Sequence, residues 1–94
     1  MAKKVRDTAV ALKYDEKSDE APKVTAKGYG QTAERIRELA RMRGVPIKRD
    51  SDLVELLAQI DIDMEIPPQL YAAVAEVLAM VYKANNSMKE SAGK

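Results

Sequence analysis

The chain has 94 residues, of which 46% are hydrophobic, enough for one domain with one modest core. Lys plus Arg number 16 and Asp plus Glu 15, a net charge of +1; this excludes the cationic surplus that general nucleic-acid binding draws on, and any strong attraction to anionic lipid. There is no Cys and no His, so disulfides, thiolate nucleophiles and Cys-ligated metals are excluded, and the commonest general base and metal ligand are missing.

Residues 8–14 alternate as a strand does, with Thr8, Val10, Leu12 and Tyr14 on one face and Ala9, Ala11 and Lys13 on the other. The small residues of the second face let a neighbour pack close. Asp15 to Glu20 reads as a solvated turn, and Lys23 to Lys27 as a second strand that Gly28-Tyr29-Gly30 breaks. A helix follows to about Arg43, with Ala33, Ile36, Leu39 and Ala40 inward. Gly44 is a natural C-terminal stop, with Pro46 just beyond. Val45-Pro46-Ile47-Lys48 reads as a third strand.

Asp52-Leu53-Val54-Glu55 fits a capping box with Asp in the first position. The helix it opens would bury Leu53, Leu56, Leu57 and Ile60. Asp61 to Ile66 is a connector with its apolar residues tucked inward. Pro67 and Pro68 suit the start of a third helix, which carries Leu70, Val74, Val77, Leu78 and Val81 at helical spacing. From Ala84 the sequence turns polar and reads as a disordered tail.

The fold class is therefore α/β: a small mixed sheet of three to four strands packed with three to four helices, in the order β-β-α-β-α-α. A flexible arm is expected at 1–7, one domain over 8–83 and the tail at 84–94. No apolar run approaches the ~20 residues that span a bilayer. The start lacks the apolar stretch of a signal peptide, so a cytoplasmic protein is expected.

No motif assembles an active site. Lys27-Gly28-Tyr29-Gly30 lacks the third Gly of a dinucleotide fingerprint and the Gly-Lys-Ser/Thr of a P-loop. Asp61, Asp63 and Glu65 fail as an EF-hand loop, because the sixth and twelfth positions are Ile66 and Ala72. Arg35, Arg37, Arg41 and Arg43 are interleaved with Glu34 and Glu38 and read as a solvated helix face. Tyr71 reads as half-buried packing. No nucleophile, base and orienting group come together, so neither enzyme activity nor a cofactor or metal is expected.

Several strings are distinctive as a set: Ala9-Val10-Ala11-Leu12-Lys13-Tyr14-Asp15, Ala21-Pro22-Lys23-Val24, Ala26-Lys27-Gly28, Arg35-Ile36-Arg37-Glu38, Val45-Pro46-Ile47, Ile66-Pro67, and the run Gln69 to Leu78. Over residues 8–83 the chain resembles the cytoplasmic C-terminal domain of the FlhB/YscU family of type III secretion switch proteins, in particular its flagellar branch. The resemblance implies a protein-binding module of export that receives early, rod- and hook-class substrates or a ruler protein, and that acts in substrate recognition or specificity switching. It implies work at the export apparatus on the inner membrane.

Family members cleave themselves at an Asn-Pro-Thr-His motif, which would sit just before residue 8. Here those positions read Lys4-Val5-Arg6-Asp7, so no cleavage is expected. The family's transmembrane helices and the strand preceding its cleavage motif have no counterpart, so the chain resembles the released fragment. By motif match the cargo patch comprises Ala21, Pro22, Ala75 and Leu78. The strand edge carrying Val10 and Leu12 is a second expected contact, because exposed edges accept partner strands. The alternative left open is a decoy that titrates cargo or ruler protein without joining the apparatus.

Overall fold

The structure is a computed structural model, describing residues 7–15 and 17–80. The expected arm and tail fall largely on residues outside these. Asp7, at the edge of the arm, is described. Its carbonyl accepts the Gly30 N–H at 2.8 Å, and its carboxylate meets Arg37 at 2.8 and 2.6 Å.

Strands β1 (Thr8–Lys13) and β2 (Lys23–Tyr29) pair antiparallel, from Thr8 opposite Tyr29 to Lys13 opposite Lys23. Ala11 faces Ala26 but Leu12 faces Val24, so Thr25 is the extra residue of a bulge, and its hydroxyl donates to the Ala11 carbonyl at 3.3 Å. The connection is tightened by Asp15, whose carbonyl accepts from the Ser18 and Asp19 amides. Helix α1 (Gln31–Met42) lies against both strands. Ala9 and Gly28, opposite each other on the ladder, leave space for it. A Cβ at Gly28 would collide with the Thr32 side chain. The glycine is thus a close-approach residue inside β2, not the end of the strand that its local sequence suggests.

Gly44 does terminate α1. It has φ 69°, the Val45 N–H returns to the Ala40 carbonyl at 2.8 Å, and the Gly44 N–H to Arg41 at 3.2 Å. These are the two bonds of a Schellman stop.

The core lies on the other face of the sheet. Val24, Leu53, Leu57, Ile66 and Val74 form it, with Val10, Leu12, Leu70, Val77 and Leu78 packed around. Helix α2 (Ser51–Leu57) supplies Leu53 and Leu57. Its cap is Asp50, whose carboxylate accepts the Leu53 N–H at 3.0 Å, so the capping box expected at Asp52 is not used. Capping from Asp50 starts the helix two residues earlier and puts Leu53 inward, while Leu56 stays exposed. A 3-10 turn (Pro68–Leu70) leads into helix α3, described over 71–80.

The sheet is smaller than expected. Residues 45–48 form no strand; Pro46 has no N–H to give to a ladder. The 63–66 segment pairs instead. Met64 accepts from the Val24 N–H at 3.1 Å, Val24 accepts from Asp63 at 2.7 Å, and Pro22 accepts from Ile66 at 2.9 Å. Lys23 and Glu65 form an isolated bridge. This pairing turns Ile66 into the core, 2% exposed, and leaves Ile62 and Met64 in solvent, against the expectation that they tuck inward.

Candidate protein-binding groove

Beside the entry to β2 lies an apolar groove of about 190 Å³. Its floor is Ala21, Pro22, Ile66 and Val74, all buried. The bond from Ile66 to the Pro22 carbonyl holds two parts of that floor together. Ala75 and Leu78, three residues apart on α3, form one side. Tyr14 and Tyr71, 39% and 44% exposed, form the rest of the rim with Glu20. All four residues expected to form the cargo patch thus line one groove, although Ala21 and Pro22 are far from α3 in sequence.

The four residues contribute unequally. Ala75 is exposed, whereas Leu78 is half-buried against the core. Tyr14, Glu20 and Ile66 escaped sequence reasoning. Tyr14 and Glu20 bracket the turn before Ala21, the only local signal that could have drawn them in. Tyr71, expected to be half-buried packing, is instead exposed and borders the groove.

A second concavity, a trough of about 600 Å³, runs along the outer edge of β1. The direction of that edge follows from the ladder. The Asp7 carbonyl points to Gly30, so by alternation the peptide groups of Ala9 and Ala11 point to β2. Those of Val10 and Leu12 point away, into the trough. Opposite Leu12, Val24 sends its own peptide groups the other way, to Met64 and Asp63. One sheet edge is thus covered by 63–66, while among the described residues no strand pairs with the other. Ile36, Val45, Ile47, Leu53 and Val77 give the trough apolar walls. At one end the Arg37 guanidinium, hydrogen-bonded to Asp7, holds that carboxyl below the usual carboxylate range. Arg37 therefore pairs outside its own helix, not with Glu34 or Glu38. Lys48 pairs with Glu76 of α3 at 3.3 Å.

Among the described residues no helix is long and apolar enough to cross a membrane, and no group of Asp and Glu is placed to hold a metal ion.

The fold thus presents an apolar groove on one side and, among the described residues, an unpaired β1 edge on another. The family model described as "FlhB HrpN YscU SpaS Family" matches residues 6–81, and the chain belongs to that family. It is 47% identical over 81 residues to the uncharacterized protein YlqH of Bacillus subtilis, covering 86% of this chain and 87% of that one. It is 50% identical over 76 residues to the flagellar biosynthetic protein FlhB of Escherichia coli, covering 80% of this chain but 20% of that protein. The chain therefore spans about a fifth of the flagellar relatives it matches. Among solved structures, it matches the cytoplasmic domain of FlhB from Shewanella putrefaciens at 38% identity and a TM-score of 0.79, covering 88% of this chain and 69% of that one. The PscU C-terminal domain matches at 32% identity and a TM-score of 0.72, covering 78% of this chain and 94% of that domain. The α/β fold is thus that of the cytoplasmic C-terminal domain of these proteins.

Proposed function

We propose that the chain is a non-catalytic binding module of flagellar or type III protein export, working in the cytoplasm at the export apparatus. Its groove receives a short apolar segment of an early export substrate or a ruler protein, and so contributes to substrate recognition or switching. The observation that carries this reading is the convergence of Ala21, Pro22, Ala75 and Leu78 on one groove with a buried apolar floor. Burying one large apolar side chain there contributes about 1.5–3 kcal/mol before entropic costs. The contact is therefore weak and reversible, as a passing substrate requires. The absence of His and Cys supports binding without catalysis.

The trough supports a second contact, in which a partner strand pairs with the Val10 and Leu12 edge. The partner is a component of the export apparatus.

Two variants separate these contacts in a pull-down with hook-class substrate and solubilised export membranes. Ala75→Arg fills the groove from an exposed helix position, leaving the core intact. Val10→Pro removes an N–H that faces the trough and not β2, so the ladder survives. Ala75→Arg is expected to lose the substrate, and Val10→Pro to lose apparatus components. Substrate recovery unchanged in Ala75→Arg, at an unchanged unfolding midpoint, removes the groove as the site. Substrate bound in the groove without apparatus components in either sample favours the decoy.

A further inference from the structure

We propose that the groove is selective for a segment carrying one aromatic or large aliphatic side chain with a lysine or arginine close to it, and that Glu20 is the residue that reads the positive charge. The inference rests on the groove being a binding site and goes on to name the chemistry of its occupant.

Size sets the first half. The volume of about 190 Å³ is close to that of the ~150 Å³ cavity known to take up benzene. It has room for one ring or one branched aliphatic chain. Tyr14 and Tyr71 are exposed enough to offer ring surface to an incoming side chain, and aromatic rings favour offset or edge contacts with another ring.

Charge sets the second half. Glu20 is the one charged residue among those lining the groove. It is exposed, and neither ion pair among the described residues involves it. Its neighbour Asp19 is occupied, accepting the Asp15 N–H at 2.9 Å. Glu20 is thus a carboxylate at the rim of an apolar cup with no ion-pair partner among the described residues. A cation on the bound segment gains that carboxylate and the faces of the two tyrosines together. An anion there meets repulsion with nothing to offset it.

The test uses blocked ten-residue peptides bearing a single Phe, with Lys, Gln or Glu scanned through the four positions on either side, measured by fluorescence anisotropy at low salt. In the wild type the best Lys peptide is expected to bind about two- to fivefold tighter than its Gln counterpart, the range of an exposed ion pair. That preference disappears in Glu20→Gln and at high salt. It reverses in Glu20→Lys, where the Glu peptide binds best. Equal affinity for Lys and Glu peptides in the wild type, or a Lys preference that survives Glu20→Gln, overturns the proposal while leaving the groove in place. Binding that Ala75→Arg does not weaken, or no binding of any peptide, overturns the groove and this proposal together. Glu20 is solvent-facing, so unchanged unfolding midpoints are expected for its variants.

Discussion

Lys27 reaches from β2 to the segment that follows α2, where its Nζ donates to the Ala58 carbonyl at 3.0 Å and the Ile60 carbonyl at 2.8 Å. The Ala58 carbonyl is that of the α2 C-cap, where a cation also suits the helix dipole, and the Ile60 carbonyl lies in the turn just beyond. Lys27→Met keeps most of the apolar stem and removes both bonds. A hydrogen bond from a charged group is worth about 1.5–3 kcal/mol. Two bonds from one partly exposed group share a single desolvation cost and do not add, and water reaches the site, so a total of about 2 kcal/mol is expected. For a domain of this size that corresponds to a fall in Tm of about 8–16 °C. Urea and thermal unfolding measure it directly, with the exposed Lys17→Met as control. Hydrogen exchange localises the effect: the amides of Ala58 and Ile60, which bond back to Val54 and Leu57, are expected to exchange faster. A Lys27→Met protein within about 0.5 kcal/mol of wild type would show that the clip is solvated and that packing alone holds the end of α2.

Gly28→Ala is expected to cost about 1–3 kcal/mol, because the new methyl meets the stiff, branched Thr32 side chain; the double variant with Thr32→Ser removes Cγ2 but keeps the Thr32 Cβ against the new methyl, so it recovers only part of the loss in urea unfolding. Asp7 has a folded pKa below its unfolded value of about 3.9, chiefly through its hydrogen bonds to Arg37. Its contribution is therefore present above about pH 4 and lost as pH falls through the lower folded value. Asp7→Asn is expected to lower stability slightly at neutral pH and to flatten the acid limb of a stability–pH curve below about pH 4.

Local chemistry made much of this fold legible. The period of two from Thr8 to Tyr14 marks β1, because one face must meet the core and the other a helix. Gly44 marks the end of α1, because few other residues accept φ 69°. Asp50, Ser51 and Asp52 are all competent caps, and only the tertiary placement of Leu53 and Leu57 decides for Asp50. Residues 45–48 and 63–66 show the same limit. Val45-Pro46-Ile47 has the better strand composition, yet the acidic 63–66 segment takes the pairing, since β2 offers its edge to whatever the chain brings past it. The groove was visible only through resemblance. Its floor draws on residues 21–22, 66 and 74, and no periodicity links positions so far apart.

Leu78 lines both the groove and the trough, and also packs on the core. This makes it the natural residue to mutate and the least informative. Leu78→Asp places a charge against apolar packing, so lost binding would report on the fold, on the groove or on the strand edge without distinguishing them. Ala75 reaches only the groove and is exposed; Val10 reaches only the trough but packs on the core as Leu78 does, so its variant is read alongside an unchanged unfolding midpoint. If α3 is merely a wall common to two independent sites, Ala75→Arg and Val10→Pro each remove one partner and spare the other, and their effects add. If α3 shifts when either site fills, the double variant departs from additivity, since Leu78 is the side chain through which one cavity feels the other.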